Sequence, residues 1–124
     1  MTKTARDAVD VHMSAINRMD SQAMIASQNF PFVHIWPDGK TDYVETQEDF
    51  IPVDKDSVLG SEWHHTFLES AKEITQGGEA VSFRITFSRR REDESIIGSY
   101  AAIWIATNTE TGWAIQFRHG AVEL

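Results

Sequence analysis

The chain has 124 residues, no cysteine, and 11 basic against 19 acidic side chains, a formal charge of −8 at neutral pH. A surface this acidic repels nucleic acid and anionic membranes, so neither is expected as a principal partner. The 41% hydrophobic and 24% charged residues describe one globular domain over residues 1–124, and the missing thiols exclude disulfides, Cys-ligated zinc and thiol nucleophiles.

Ala5, Ala8, Val9, His12, Met13 and Ile16 recur at three- and four-residue spacing and predict an amphipathic helix over 4–19. Thr4 and Asp7 resemble a capping box at its start. Asp20 is placed to cap a second, shorter helix through Ser27, with Met24 and Ile25 toward the core. At Phe30 the period changes to two: Phe32, His34 and Trp36 alternate with Pro31, Val33 and Ile35, and Pro37-Asp38-Gly39 supplies a hairpin turn. The return strand runs over 40–45, followed by a helical or irregular stretch over 46–59. Asp38, Asp42, Glu45, Glu48, Asp49, Asp54, Asp56 and Glu62 fall here against Lys40 and Lys55 alone, so most of the net charge is local.

Four long strands are predicted in the second half, over 63–75, 80–90, 96–108 and 112–119. Val81, Phe83, Ile85 and Phe87 alternate with Ser82, Arg84, Thr86 and Ser88, as expected of a sheet with one packed face. Trp113, Ile115, Phe117 and His119 continue the pattern on one face of the last strand, with Gln116 and Arg118 on the other. The run Arg89-Arg90-Arg91 is followed at once by Glu92-Asp93-Glu94 and reads as a solvated, self-cancelling hairpin tip. The longest uninterrupted apolar run, Tyr100 to Ala106, is too short to span a bilayer. The N-terminus carries no signal-peptide pattern, and a cytoplasmic location is the default expectation.

Two N-terminal helices, a short hairpin, a third helical segment and long strands ending in Gly112-Trp113-Ala114-Ile115-Gln116-Phe117-Arg118-His119 resemble the nuclear transport factor 2-like superfamily. That group includes SnoaL-like polyketide cyclases, ketosteroid isomerases and scytalone dehydratase. The resemblance implies an α+β, cystatin-like cone in which N-terminal helices pack on a strongly curved antiparallel sheet. It further implies a pocket in the open mouth and a homodimer formed through the sheet. No catalytic residue carries over from the isomerases, whose carboxylate base and Tyr/Asp oxyanion hole find no inward Asp on these strands.

Within such a cone, Phe32, Trp36, Trp63, Phe83, Trp104, Phe117 and His119 are the expected pocket residues. Ala102 and Ala106 leave room beside Tyr100 and Trp104 for something planar. Large aromatic area with few paired acids and bases points to a small-molecule-binding domain without cofactor or metal. One alternative is a cofactor-independent lyase, isomerase or cyclase using His34 or His65 as base and Tyr100 as acid. Another is a protein-interaction module that docks through the acidic segment 38–62. The acids gathered beside the expected mouth favour a neutral or cationic ligand over a highly anionic one.

Overall fold

The computed structural model describes residues 2–52 and 54–124. Helix α1 spans Ala5–Arg18 and opens on the expected capping box. Thr4 Oγ1 accepts from the Asp7 amide at 3.1 Å, and the Asp7 carboxylate accepts from the Thr4 amide at 3.2 Å. These contacts satisfy two backbone donors that a helix start otherwise leaves bare. The helix stops at Met19, whose left-handed φ of 49° turns the chain. Asp20 then caps α2 (Ser21–Ala26) by accepting from the amides of Gln22 and Ala23.

Strands β1 (Gln28–Ile35) and β2 (Thr41–Val44) form the hairpin. The stretch that follows condenses into a 3₁₀ turn at Gln47–Asp49 and a single helical turn, α3, at Lys55–Val58. Strands β3 (His65–Gln76), β4 (Ala80–Arg90), β5 (Ile96–Thr109) and β6 (Gly112–Glu123) complete a six-stranded sheet in the order β2-β1-β6-β5-β4-β3. Its pairings are antiparallel as expected except that of β1 with β6, so the sheet is mixed. The hairpin returns to the outer side of β6, where β1 runs parallel to it, so β6 lies inside the sheet and continues past His119. Among the described residues no helix is long and apolar enough to cross a membrane.

The core lies between the inner face of the sheet and α1, which buries Ala5, Ala8, Val9, His12, Met13 and Ala15. Val81, Phe83, Ile85 and Phe87 point inward from β4 as their alternation requires, and Phe83 and Ile85 are all but sealed. Truncating a phenylalanine so enclosed costs about 3–5 kcal/mol.

Departures from regular pairing decide what else points inward. Ile105 pairs with Phe117 but Ala106 pairs with Ile115, so Gln116 is an extra residue on β6. This β-bulge shifts the phase of the strand by one. Ile115 and Arg118 both face inward, opposite Ala106 and Trp104, whereas Phe117 and His119 face outward beside Ile105 and Ile103. The simple alternation expected for 113–119 therefore holds only as far as Ile115.

Candidate functional site

The inner face of the sheet and the helices enclose a cavity of about 90 Å³, well above the ~10–15 Å³ that one water needs. The helices and their C-terminal caps supply Met13, Ile16, Met19, Met24, Val58 and Leu59, and the sheet supplies Phe87, Ala102, Trp104 and the polar groups described below. Small residues at Ala102, Gly120 and Ala121 leave the space that the larger rings border. A larger groove, of about 390 Å³, lies between the β1–β2 hairpin and the segment before α3; it shares His34, Trp36, Val58 and Arg118 with the cavity.

His34 is fixed at both ring nitrogens. Its Nε2 lies 2.8 Å from the carbonyl oxygen of Gly120, which can only accept, so Nε2 carries the proton. Burial, reinforced by the charge of Arg118, pulls the imidazole down to about 4, so at neutral pH Nδ1 is a bare acceptor. Arg118 Nη2 donates to it at 3.3 Å. Trp36 stacks obliquely on the same imidazole with ring centroids 4.2 Å apart, and its indole N–H donates to Asp42 at 2.7 Å. The hydrogen-bond network thus assigns His34 a neutral, Nε2-protonated form.

Arg118 reaches the cavity because of the bulge at Gln116. Its guanidinium lies 5.7 Å above the ring of Phe32 and 5.9 Å above that of Trp104, within cation–π range. Burial draws it down to about 10, so it stays charged at neutral pH. Its Nε is sealed from solvent and has no acceptor among the described residues. Arg89 repeats the arrangement on β4: its guanidinium sits 4.3 Å over the ring of Tyr100, and its Nε is also sealed and unpartnered. No carboxylate lines the cavity among the described residues; Asp42 and Asp49 line the outer groove. The acid excess of 38–62 thus borders the groove, while the charged groups of the cavity itself are two arginines.

Behind Trp104 sits His12, fully buried, its ring edge-on to the indole at 4.9 Å. Ser27 Oγ donates to the carbonyl of Met24 at 2.8 Å, so at 2.7 Å it receives its hydrogen bond from His12 Nδ1–H. Nε2 of His12 is left as a sealed, unpartnered lone pair. Burial, with Arg118 and His34 adding to it, holds this imidazole well below its ordinary value and therefore neutral.

Three residues expected to share one chemistry lie apart. His34 lines the cavity; Tyr100 faces inward on β5 but lies under Arg89; and His65 is on the outward side of β3, where its Nε2 meets Glu94 at 3.2 Å. The pairing of His65 with Arg90, one residue from the inward Thr66, accounts for that orientation. Among the expected pocket residues, Trp36 and Trp104 line the cavity and Phe32 lines the adjoining groove. Phe83 lies in the solid core, and the buried Trp63 donates its indole N–H to Thr66 Oγ1 at 2.9 Å. Phe117 and His119 are corrected to the outer face by the bulge. The charges of the arginine run are cancelled by acids at two of its three positions. Arg90 pairs with Glu69 and Glu94 and Arg91 with Glu62, while Arg89 turns inward.

Arg89 was detectable, because it extends the odd-numbered series Phe83, Ile85, Phe87. Arg118 was not, since nothing in the residues announces the bulge at Gln116. Among the described residues no group of three or more His, Cys, Asp or Glu side chains could hold a metal ion.

No family model matches the sequence, and no curated protein matches it significantly. Solved structures do match the fold. A nuclear transport factor 2-like protein with a cystatin-like fold from Novosphingobium aromaticivorans aligns at a TM-score of 0.69 and 16% identity, covering 92% of this chain and 76% of that one. A cystatin-like-fold protein of unknown function from Nostoc punctiforme aligns at 0.73 and 11%, covering 96% and 92%. A ketosteroid isomerase-like protein from Erwinia carotovora atroseptica aligns at 0.64 and 15%, covering 93% and 90%. At these identities the likeness is one of architecture, and the chain has the nuclear transport factor 2-like, cystatin-like fold.

Proposed function

We propose that this protein is a small-molecule-binding domain whose site is the apolar cavity under α1 and α2. The carrying observation is the engagement of His34 at both nitrogens, with no carboxylate among its hydrogen-bond partners. A general base needs a free lone pair within reach of a substrate proton; here the lone pair is occupied by Arg118. Aromatic and thioether walls with a few convergent polar groups are the composition of a binding pocket. The lyase, isomerase or cyclase alternative is less well supported, since Tyr100, whose ring face is covered by Arg89, is not among the residues that line the cavity beside His34.

Trp36 and Trp104 both line the cavity and report on its occupancy. Titration of the full chain with benzamide and with benzoate, followed by indole N–H resonances and tryptophan fluorescence, is expected to give saturable changes at these two residues. No saturable change with either probe overturns the reading.

The expected homodimer belongs to the same proposal. Tyr43, Val33, Phe117 and Ile105 stand in register across β2, β1, β6 and β5 on the outer face of the sheet, and Tyr43 is 62% exposed. An apolar row with polar neighbours such as Arg84 and Thr86 suits a two-fold contact in which the same patch meets itself. Sedimentation equilibrium is expected to give a dimer that Phe117→Glu converts to monomer; a monomeric wild type removes this part of the proposal.

A further inference from the structure

The geometry points to an organic carboxylate as the ligand of the cavity, its anionic group received by Arg118 and its apolar body seated against Met13, Met24, Phe87 and Trp104. The inference rests on the cavity being a binding site and specifies what binds there. Three other arginines have counter-ions, Arg6 with Asp10, Arg90 with Glu69 and Glu94, and Arg91 with Glu62, and the two without an ion pair, Arg18 and Arg84, are exposed to water. Arg118 and Arg89 have no counter-ion among the described residues, although they line the cavity between the helices and the sheet, and each keeps a sealed Nε–H without an acceptor. A guanidinium drawn partly out of water with a sealed N–H and no counter-ion is unfavourable, so an empty cavity leaves both short of an acceptor.

The partners these arginines do have orient them without neutralising them. His34 is a neutral acceptor for Arg118, and Tyr100 offers only the face of its ring to Arg89. Both positive charges therefore remain available to something that enters. His34 is itself locked by the carbonyl of Gly120, which makes it a positioning residue for Arg118 rather than a ligand contact. The planar fork of a guanidinium matches a carboxylate in bidentate fashion. The largely apolar remainder of the lining requires a molecule with one charged end, which distinguishes an organic acid from free phosphate. Arg89, on the neighbouring wall, adds positive potential for the same anion.

Isothermal titration calorimetry on the full chain with benzoate, its uncharged counterpart benzamide, and inorganic phosphate tests this. Benzoate is expected to bind at least about tenfold tighter than benzamide, and phosphate is expected neither to bind comparably nor to displace benzoate. In Arg118→Met the preference for benzoate over benzamide is lost while the apo protein melts at a higher temperature, because an uncompensated buried charge has been replaced by an apolar chain. A structural arginine would give the opposite change in melting. Arg118→Lys, which keeps the charge but loses the fork, and Arg89→Met are each expected to reduce the preference partially; if Arg118→Met does not fold, these two carry the test. Benzamide binding as tightly as benzoate overturns the carboxylate inference and leaves the binding site standing. Phosphate binding as tightly as benzoate overturns it in favour of an inorganic anion. No binding of any probe removes the cavity reading itself.

Discussion

Arg118 Nη2 donates to His34 Nδ1 across 3.3 Å, and this bond exists only while the imidazole is neutral. The Nε2–H of His34 is committed to the carbonyl of Gly120 at 2.8 Å, so protonation at Nδ1 would set two cations against each other. The pair therefore links a backbone carbonyl on β6, a side chain on β1 and the charged group of the cavity into one chain of donors and acceptors. A carboxylate in place of His34 would orient Arg118 equally well, but it would cancel the charge.

Stability is expected to fall on mild acidification. In the unfolded chain the imidazole of His34 titrates at its ordinary 6.5, and in the folded protein at about 4. Between those values the unfolded state holds the extra proton, so stability rises with pH across this window and is level above it. At about 1.4 kcal/mol per pH unit the gap amounts to about 3 kcal/mol, lost between pH 6.5 and 4. Urea unfolding of the wild type and of His34→Gln, whose amide offers one donor and one acceptor without titrating, should show a distinctly shallower pH dependence in the variant. Parallel curves would contradict the assignment.

His12→Leu is expected to cost little, within about 1 kcal/mol, although the residue is fully buried. The substitution strands no donor, because Ser27 Oγ keeps its bond to the Met24 carbonyl, and it removes an orphaned Nε2. His12→Lys should prevent folding at neutral pH, since it would bury a charge in the same neighbourhood as Arg118. Chemical denaturation of the two variants checks the contrast.

Much of the architecture was legible in the residues because it is written in local terms. The Thr4/Asp7 capping box, the Asp20 cap and the strict alternation from Val81 to Phe87 are short-range patterns with a direct physical cause, and each corresponds to an observed element. The placement of β1 beside β6 depends on contacts between residues more than eighty positions apart, for which no local signal exists. The site was half legible for the same reason. His34, Trp36 and Trp104 follow from alternation on regular strands, whereas Arg118 depends on a one-residue bulge, and the outward turn of Phe117 and His119 depends on it too.

Gly120→Ala should be among the more damaging small substitutions. Gly120 has a φ of 123°, which an L side chain adopts only under strain. An added Cβ would lie 2.9 Å from Ala102 Cβ and 3.0 Å from the Ala101 carbonyl oxygen, closer than packed atoms tolerate. Relief requires β6 to move from β5 and draws the Gly120 carbonyl away from His34. A loss of at least about 2 kcal/mol in urea unfolding is expected, together with a weakened preference for benzoate. A variant as stable as the wild type would show that the backbone here relaxes freely.

Deletion of Gln116 makes a less intuitive prediction. In most strands removing one residue turns every following side chain to the opposite face. Here Gln116 is already the extra residue: Phe117 pairs with Ile105 and Ile115 with Ala106, so without it Ile115, Phe117 and Arg118 read as plain in, out, in. The deletion should therefore preserve the inward direction of Arg118 and the outward direction of Phe117. What is lost is local, namely the bond from Gln116 Nε2 to the Pro31 carbonyl at 2.9 Å and the bond that Gln116 Oε1 accepts from Thr107 Oγ1 at 2.8 Å. Two such bonds contribute about 1–3 kcal/mol together. The shortened chain is thus expected to fold, to unfold at moderately lower urea, and to retain its preference for benzoate. Insertion of one alanine after Ile115 lengthens the bulge without the cross-strand bonds that hold it, and should be the more harmful change. If instead the deletion abolishes folding while the insertion is tolerated, the phase of β6 is set by its pairing with β1 and not by the bulge against β5.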